Sequence, residues 1–220
     1  MTRFIVVRHG FSEANNAHTF AGITDPPLTE KGKRQAEYVA AYLAKHEKVD
    51  HIFYSGLTRT RQTAEPSAAF FGLPLQLERD LIEIFAGLWE CKTFREIDEK
   101  YHADWRSWIF DFPHCRCTEG ESAREHYLRV ERAIHRLAAA HEGQTLLLVT
   151  HYNPVRVMNA MASGLPFEQV TYPKAPANAS INIFCYENGA LRVEQQDIIT
   201  YPPSLSAPWD SPPPPLMKKK

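Results

Sequence analysis

Short apolar runs alternate with helical patterns along most of the chain, and this alternation limits the possible folds more than any other feature. Runs typical of strands occupy residues 3–7, 51–54, 75–77, 146–150 and 181–186, with a weaker run near 191–193. Strands that alternate with helices form a mainly parallel sheet with helices on both faces. Asn188-Gly189 is typical of a tight hairpin between the last two runs. The sequence therefore predicts a three-layer α/β/α sandwich with an antiparallel edge.

The helical patterns lie between these runs, as such a fold requires. Apolar residues recur at helical spacing over residues 29–46, and a second helix is predicted over 57–71. Ser122 and Glu125 form a capping box that predicts the start of a further helix. Residues 93–118 hold tryptophans and phenylalanines among charged residues, and we interpret them as a helical excursion over one end of the sheet.

The composition is that of an ordinary soluble globular protein, and it excludes several classes of function. The 220 residues are 44% hydrophobic and 23% charged, which is enough to bury a full core. A net charge of −1 gives no general affinity for nucleic acid, and no apolar run is long enough to cross a bilayer. The four cysteines follow no disulfide framework. We therefore expect a reduced, cytoplasmic protein without nucleic-acid or membrane partners.

The end of the chain differs in composition from the rest. Residues 201–220 are rich in proline, which lacks the backbone N–H that helices and sheets need. We therefore predict one domain over residues 1–200, followed by an extended or disordered tail over residues 201–220.

Residues suited to binding an anion follow three of the predicted strands. Arg8-His9-Gly10 ends the first strand, Ser55 to Arg59 follows the second, and His151 follows the strand at 146–150. The carboxyl ends of parallel strands meet at one edge of a sheet, where open α/β folds place their ligand sites. Arginine is a fixed cation suited to phosphate, and histidine is a nucleophile or acid–base group near neutral pH. Two arginines and two histidines are thus predicted to converge from distant parts of the chain.

Further motifs accompany these strand ends in a fixed order. They are Leu28-Thr29-Glu30-Lys31-Gly32, the run from Ser55 to Ala64, the segment from Glu83 to Glu90, and Gly120-Glu121-Ser122. With Arg8-His9-Gly10 and His151, this order resembles the histidine phosphatase superfamily, which includes cofactor-dependent phosphoglycerate mutase and the fructose-2,6-bisphosphatases. The resemblance covers residues 4–182. It implies the fold given above and an enzyme that uses neither cofactor nor metal, since side chains supply the cations.

The resemblance also implies a role for each residue of the set. His9 is the nucleophile that takes the phosphoryl group, and neighbouring cations keep its imidazole neutral. Arg8 and Arg59 clamp the phosphate oxygens with paired donors. His151 donates a hydrogen bond to the transferring phosphoryl group. Glu83 protonates the leaving oxygen and then activates the water that hydrolyses the phosphohistidine.

Three more residues are predicted to contact the substrate. Ser12 and Asn15 follow the first strand, where Asn15 either binds the phosphate or forms an Asx-turn. Tyr152 stands where the family has glycine, and it is expected to narrow the site or redirect the backbone amide. Cys115-Arg116-Cys117 beside His114 leaves a structural metal site as an alternative with little support.

The expected activity is hydrolysis of a small phosphate monoester. The mutases of the family carry a longer covering insertion than the interval from Glu83 to His151 provides, which favours hydrolysis. Mutase-type phosphoryl transfer is the alternative, and a catalytically weak phosphate-binding scaffold is a third reading that Tyr152 supports. The aromatic residues from Trp105 to Phe112 are either a wall of the substrate site or core packing.

Overall fold

A six-stranded sheet forms the centre of the computed structural model, which describes residues 1–169 and 176–206. Its strands are β1 (Thr2–Arg8), β2 (His51–Tyr54), β3 (Leu75–Leu77), β4 (Thr145–Thr150), β5 (Ile181–Glu187) and β6 (Ala190–Ile198). They lie in the order β3-β2-β4-β1-β5-β6. The pairs among β1 to β4 are parallel, whereas β5 and β6 pair antiparallel. The predicted mainly parallel sheet with an antiparallel edge is confirmed.

Helices connect the strands and cover the sheet. Those of the described residues are α1 (Glu13–Ala17), α2 (Glu30–His46), α3 (Thr58–Phe71), α4 (Phe94–Lys100), α5 (His102–Phe110), α6 (Ala123–Ala140) and α7 (Tyr152–Ser163). The predicted capping box at the start of α6 is present: Ser122 accepts from the Glu125 N–H, and the Glu125 carboxylate accepts from the Ser122 N–H. None of these helices combines the length and the apolar character that crossing a bilayer requires.

The central strand β1 is apolar on both sides and is buried on both faces of the sheet. Phe4 and Val6 pack in one core with residues of α6 and α7, whereas Ile5 and Val7 pack in a second core with residues of α2 and α3. This alternation is the period-two pattern of a strand. The three-layer α/β/α sandwich is therefore confirmed.

The edge hairpin forms where the sequence predicts it, but its last strand is longer than the apolar pattern indicated. Asn188 and Gly189 adopt φ values of 50° and 80°, as a tight hairpin turn requires. β6 then runs from Ala190 to Ile198, well beyond the run near 191–193. Its backbone pairs with β5, whereas most of its side chains are exposed and polar, so hydrophobic periodicity does not mark its full length.

The aromatic excursion packs as a small core of its own. The ring centroids of Trp105 and Trp89 lie 5.7 Å apart, and those of Trp108 and Phe20 lie 5.4 Å apart. Trp105 is only 6% exposed, whereas Phe110 is 65% exposed. Most of these aromatic side chains therefore pack in this small core. Their burial favours core packing over a wall of the substrate site.

The residues just past position 200 pack against the domain. Tyr201 is buried, and its hydroxyl donates to the Asn178 carbonyl at 2.7 Å. Residues 203–205 form a 3₁₀ turn, and the Leu205 carbonyl accepts from Gln35 of α2. Residues 201–206 therefore pack on the domain, and the predicted division into a domain over residues 1–200 and a tail over residues 201–220 stays a prediction. The rest of the predicted tail, residues 207–220, lies outside the described residues.

Candidate active site

The ends of three neighbouring strands bring the predicted residues together. β4 lies between β2 and β1, and all three run in the same direction. The His9 N–H, just past β1, donates to the Thr150 carbonyl at the end of β4 at 2.8 Å. The imidazole rings of His9 and His151 meet edge to face, with their centroids 5.3 Å apart. The convergence predicted from the parallel sheet is therefore present.

His9 is buried with one ring nitrogen engaged. Its Nδ1 lies 2.8 Å from the Gly10 carbonyl oxygen. A carbonyl only accepts, so Nδ1 carries the proton and Nε2 keeps a lone pair. Burial lowers the pKa of His9 well below 6.5, and the positive charges of Arg59 and Arg8 lower it further. His9 is accordingly a neutral imidazole with a nucleophilic Nε2.

Arg59 is a buried cation held by backbone oxygens. Its Nη1 donates to the Thr24 carbonyl and its Nη2 to the Gly22 carbonyl, both at 2.7 Å. Its Nε donates to Nδ1 of His151 at 3.2 Å. Burial lowers the pKa of Arg59 to about 10, so the guanidinium stays charged at neutral pH. These three hydrogen bonds fix the orientation of the Arg59 guanidinium beside His9 and His151.

The loop that holds Arg59 is organised by the carboxylate of Glu90, to which the sequence analysis assigned no role. The Glu90 carboxylate accepts hydrogen bonds from backbone N–H groups of Gly22, Ile23, Thr24 and Ala86 and from the Thr24 hydroxyl. These bonds fix the loop whose carbonyls receive Arg59. The signal available in the sequence was the motif spacing that joins Glu90 to Glu83, but this spacing does not reveal the partner loop.

A series of hydrogen bonds through Ser55 and Thr60 fixes the tautomer of His151. Thr60 donates to the Leu57 carbonyl at 2.7 Å, so the Ser55 hydroxyl must donate to Thr60 at 3.0 Å. Ser55 then accepts from Nε2 of His151 at 2.6 Å. Nδ1 accepts from Arg59, so the ring is neutral with its proton on Nε2. Burial, followed by the charge of Arg59, lowers the pKa of His151 well below 6.5.

Tyr152, which replaces the family glycine, packs against two cations. The guanidinium carbon of Arg8 lies 5.2 Å from the Tyr152 ring centroid, and that of Arg156 lies 5.0 Å from it. Both distances are in the range of cation–π attraction. Arg8 also donates to the Pro176 carbonyl at 2.7 Å. The Tyr152 ring therefore packs against the Arg8 guanidinium and stabilises its position.

Glu83 is buried with both carboxylate oxygens placed by backbone N–H groups. Oε1 accepts from its neighbour Ile84 at 2.8 Å, and Oε2 accepts from Asn153 at 3.3 Å. Asn153 lies in the first turn of α7, whose N–H groups have no partner within the helix. The segment before Glu83 is tied to β4, because the Thr150 hydroxyl donates to the Leu81 carbonyl at 2.6 Å. These bonds bring Glu83 to the first turn of α7, next to His151.

Ser12 and Asn15 lie beside His9 and cap the short helix α1. Asn15 N–H donates to Ser12 Oγ, and Ser12 N–H and Oγ both donate to Asn15 Oδ1. Asn178, which sequence reasoning missed, donates to the His9 carbonyl and to Asn15 Oδ1, both at 3.1 Å. It precedes β5 without a recognisable motif. Substrate contact by Ser12 and Asn15 stays a prediction.

Two motif glycines are required because their backbones touch. A Cβ on Gly10 would lie 2.6 Å from the Gly32 carbonyl oxygen, and a Cβ on Gly32 would lie 2.1 Å from that of Phe11. Both distances are too short for any side chain. Gly10 and Gly32 therefore allow the backbone at the start of α2 to pack closely against the turn that carries His9.

Cys115 and Cys117 are buried and pack in apolar clusters. Burial raises the pKa of Cys115 to about 12 and that of Cys117 still higher. In residues 1–169 and 176–206, no three His, Cys, Asp or Glu side chains are grouped to hold a metal ion.

Comparisons with known proteins agree with this geometry. A sequence profile described as the histidine phosphatase superfamily (branch 1) matches residues 4–198. The chain is 35% identical over 165 residues to Phosphoserine phosphatase 1 of Hydrogenobacter thermophilus, which covers 75% of this chain and 78% of that protein. It is 33% identical over 164 residues to Adenosylcobalamin/alpha-ribazole phosphatase of Salmonella typhimurium, which covers 74% and 81%.

A solved structure gives the same result for the fold. The alpha-ribazole phosphatase from Shigella flexneri matches with a TM-score of 0.80 at 25% identity, over 90% of this chain and 97% of that one. The profile match spans almost all of the region in which the motifs occur. The chain belongs to the histidine phosphatase superfamily, branch 1.

Proposed function

We propose that the protein hydrolyses phosphate monoesters through a phosphohistidine formed on His9. The family match and the relatives named as phosphatases support this activity, as predicted from the sequence. The observation that carries the proposal is the bond from His9 Nδ1 to the Gly10 carbonyl. It leaves Nε2 unprotonated in a site that two arginines make positive, and these are the requirements for attack on a phosphate ester.

In the first half of the reaction, Nε2 of His9 forms a bond to phosphorus while the bond from phosphorus to the ester oxygen breaks. Arg8 and Arg59 bind the non-bridging oxygens, where charge is concentrated. Protonated Glu83 gives its proton to the leaving oxygen, so an alcohol departs rather than an alkoxide. The products are the free alcohol, phosphohistidine and the Glu83 carboxylate.

In the second half, water replaces the alcohol. The Glu83 carboxylate takes a proton from the water, whose oxygen bonds to phosphorus as the bond to Nε2 breaks. Inorganic phosphate leaves, and His9 and protonated Glu83 are restored. His151 stabilises the transferring group in both halves.

The proposed substrates are small phosphate esters, and the relatives supply the first probes. One relative is named a phosphoserine phosphatase and another an alpha-ribazole phosphatase, so phosphoserine and ribazole phosphate head the panel. p-Nitrophenyl phosphate belongs in it as a generic ester. Transfer between 2- and 3-phosphoglycerate is the alternative activity, and nothing in the comparisons favours it over hydrolysis.

The test is phosphate release across this panel by the wild type and by His9→Ala. We expect release of phosphate from at least one ester, no interconversion of phosphoglycerates, and no turnover by His9→Ala. Retained activity in His9→Ala would remove the nucleophile assignment. Phosphoglycerate interconversion without phosphate release would establish the mutase, and ester binding without turnover would establish the scaffold.

We also propose that the enzyme works in the cytoplasm. All four cysteines, which lie within the described residues, are free thiols. Free thiols are typical of reducing compartments. Fractionation of the producing cells tests this proposal, with recovery outside the cytoplasm as the contrary result.

A further inference from the structure

Arg129 of α6 makes an unusually complete set of hydrogen bonds to the segment that carries Glu83. Its Nη1 donates to the carbonyls of Asp80 and Ile82 at 2.8 and 3.0 Å. Its Nη2 reaches the Glu83 carbonyl at 3.4 Å. The Arg129 side chain is only 16% exposed, so these bonds form away from bulk water.

The segment needs such a partner because it belongs to no strand or α-helix. Residues 79–81 form a 3₁₀ turn, and the chain is irregular from Ile82 until the next such turn at Gly87. Backbone carbonyls in irregular buried segments must find donors outside regular secondary structure. A guanidinium, with five N–H groups in one plane, satisfies several of them at once.

Arg129 is itself held in place by two buried side chains. Glu121 binds it through two bonds, from Nε at 3.0 Å and from Nη2 at 2.8 Å. Nη2 also donates to Nδ1 of His126, which is fully buried, at 2.7 Å. Burial raises the pKa of Glu121, but the hydrogen bonds and positive charge around it prevail and lower the pKa to about 2. The carboxylate of Glu121 thus stays ionised at neutral pH.

Glu121 also reaches the same segment from its other side. Its Oε2 accepts from the Phe85 N–H at 3.2 Å, and its own N–H donates to the Phe85 carbonyl at 2.8 Å. The Glu121–Arg129 pair therefore holds the chain on both sides of Glu83. None of these bonds involves the Glu83 carboxylate, whose oxygens bind the Ile84 and Asn153 N–H groups.

We propose that Arg129 is a positioning residue for the acid–base step, and that its grip on the carbonyls of Asp80, Ile82 and Glu83 sets where the Glu83 carboxyl meets the leaving oxygen. This inference rests on the proposed role of Glu83. It assigns to Arg129 no contact with the substrate. A misplaced general acid slows departure of basic alcohols most, because weakly basic leaving groups need little protonation.

The test uses phenyl phosphates whose para substituents change the basicity of the leaving phenol and hardly change its size. The kcat/KM value reports the steps through transfer to His9, in which the leaving group departs. We expect Arg129→Gln to lower kcat/KM about tenfold more for the most basic phenol than for p-nitrophenol. Glu83→Gln is the reference and should show the same dependence, more steeply.

Arg136→Gln is the matched control, two turns further along α6. Arg136 binds the side chains of Glu78 and Asp80, at 2.7 and 3.2 Å, and is half exposed. It thus contacts the same segment without holding its carbonyls near Glu83. We expect this variant to keep the wild-type dependence on leaving-group basicity. Arg129→Lys, which keeps the charge but loses the planar fork, should show the defect if Arg129→Gln does not fold.

The outcomes separate the inference from the function on which it rests. Equal losses for all phenols in the folded Arg129 variant would mean a merely structural role and would overturn the inference. The same dependence in Arg136→Gln would also overturn it, because any loosening of the segment would then suffice. A Glu83→Gln enzyme without leaving-group dependence would instead remove the proposed role of Glu83.

Discussion

At the scale of single residues, the positions of protons define the site. His9 has its proton on Nδ1, and His151 has its proton on Nε2, where Ser55 accepts it. Nδ1 of His151 accepts from Arg59 in the described state, so it has no proton to give to a phosphoryl group. To donate there, His151 must become an imidazolium. A bound dianion favours that charge and opposes the lowering of the His151 pKa by burial.

We therefore predict that binding of a dianion is coupled to proton uptake. Sulfate is a suitable probe because it stays fully ionised near neutral pH. We expect the enzyme to take up protons as sulfate binds at pH 7, and the affinity to rise as the pH falls. Calorimetry in buffers of different ionisation enthalpy measures this uptake. His151→Gln should abolish it and His9→Gln should retain it; uptake that survives in His151→Gln would contradict the assignment.

At the scale of elements, the active site depends on loops fixed by carboxylates outside it. Glu90 holds the 22–24 loop through its backbone N–H groups, and the carbonyls of that loop hold Arg59. The N–H groups of this loop have no partner in a helix or a strand, so the Glu90 carboxylate serves as their acceptor. Glu90 thus sets the position of Arg59 indirectly, through the loop that both residues bind.

We therefore predict that Glu90→Gln weakens ester binding. One amide oxygen cannot accept all the bonds that the carboxylate accepts, so the loop loosens and Arg59 with it. KM should rise about tenfold and the free energy of unfolding should fall by about 1–3 kcal/mol. Steady-state kinetics and urea denaturation measure the two effects. Glu96→Gln, in the exposed cap of α4, is the control and should change KM little. An unchanged KM in Glu90→Gln would contradict the link.

The sequence predicted the residues at the strand ends of this site better than the side chains that hold them in place. Arg8, His9 and His151 follow strands that apolar runs mark clearly, and parallel pairing then requires them to meet. Asn178 and Arg129 carry no such mark, because their function depends on backbone carbonyls that only the folded chain brings near. The packing of residues 201–206 was not predicted for the same reason: their prolines are visible in the sequence, whereas the partners of Tyr201 are not.

At the scale of the whole molecule, the fold buries three neutral histidines. Burial is the first cause that lowers the pKa of His9, His126 and His151 below 6.5. In the unfolded chain each of them protonates near its ordinary value, about 6.5. The unfolded state therefore binds more protons than the folded state below that pH, so stability falls as the pH falls.

We predict that the free energy of unfolding drops between pH 7 and pH 5. Each histidine contributes at most about 1.4 kcal/mol for each pH unit below 6.5. The Glu121 carboxylate, with a pKa of about 2, loses its contribution only at lower pH. Urea denaturation at several pH values measures the slope of this free energy against pH. His126→Gln removes one of the three histidines, so the slope should fall by at most about 1.4 kcal/mol per pH unit. A free energy of unfolding that stays constant from pH 7 to pH 5 would disagree with buried neutral histidines.

Trapping of the phosphoenzyme shows directly whether His9 carries the phosphoryl group. The enzyme is mixed with a radiolabelled phenyl phosphate, quenched in alkali within one turnover, and digested for peptide mapping. We predict a base-stable, acid-labile label on the peptide that contains His9, which disappears in a chase with unlabelled ester and never forms in His9→Ala. Turnover without any labelled enzyme, or a label on another residue, would contradict the account.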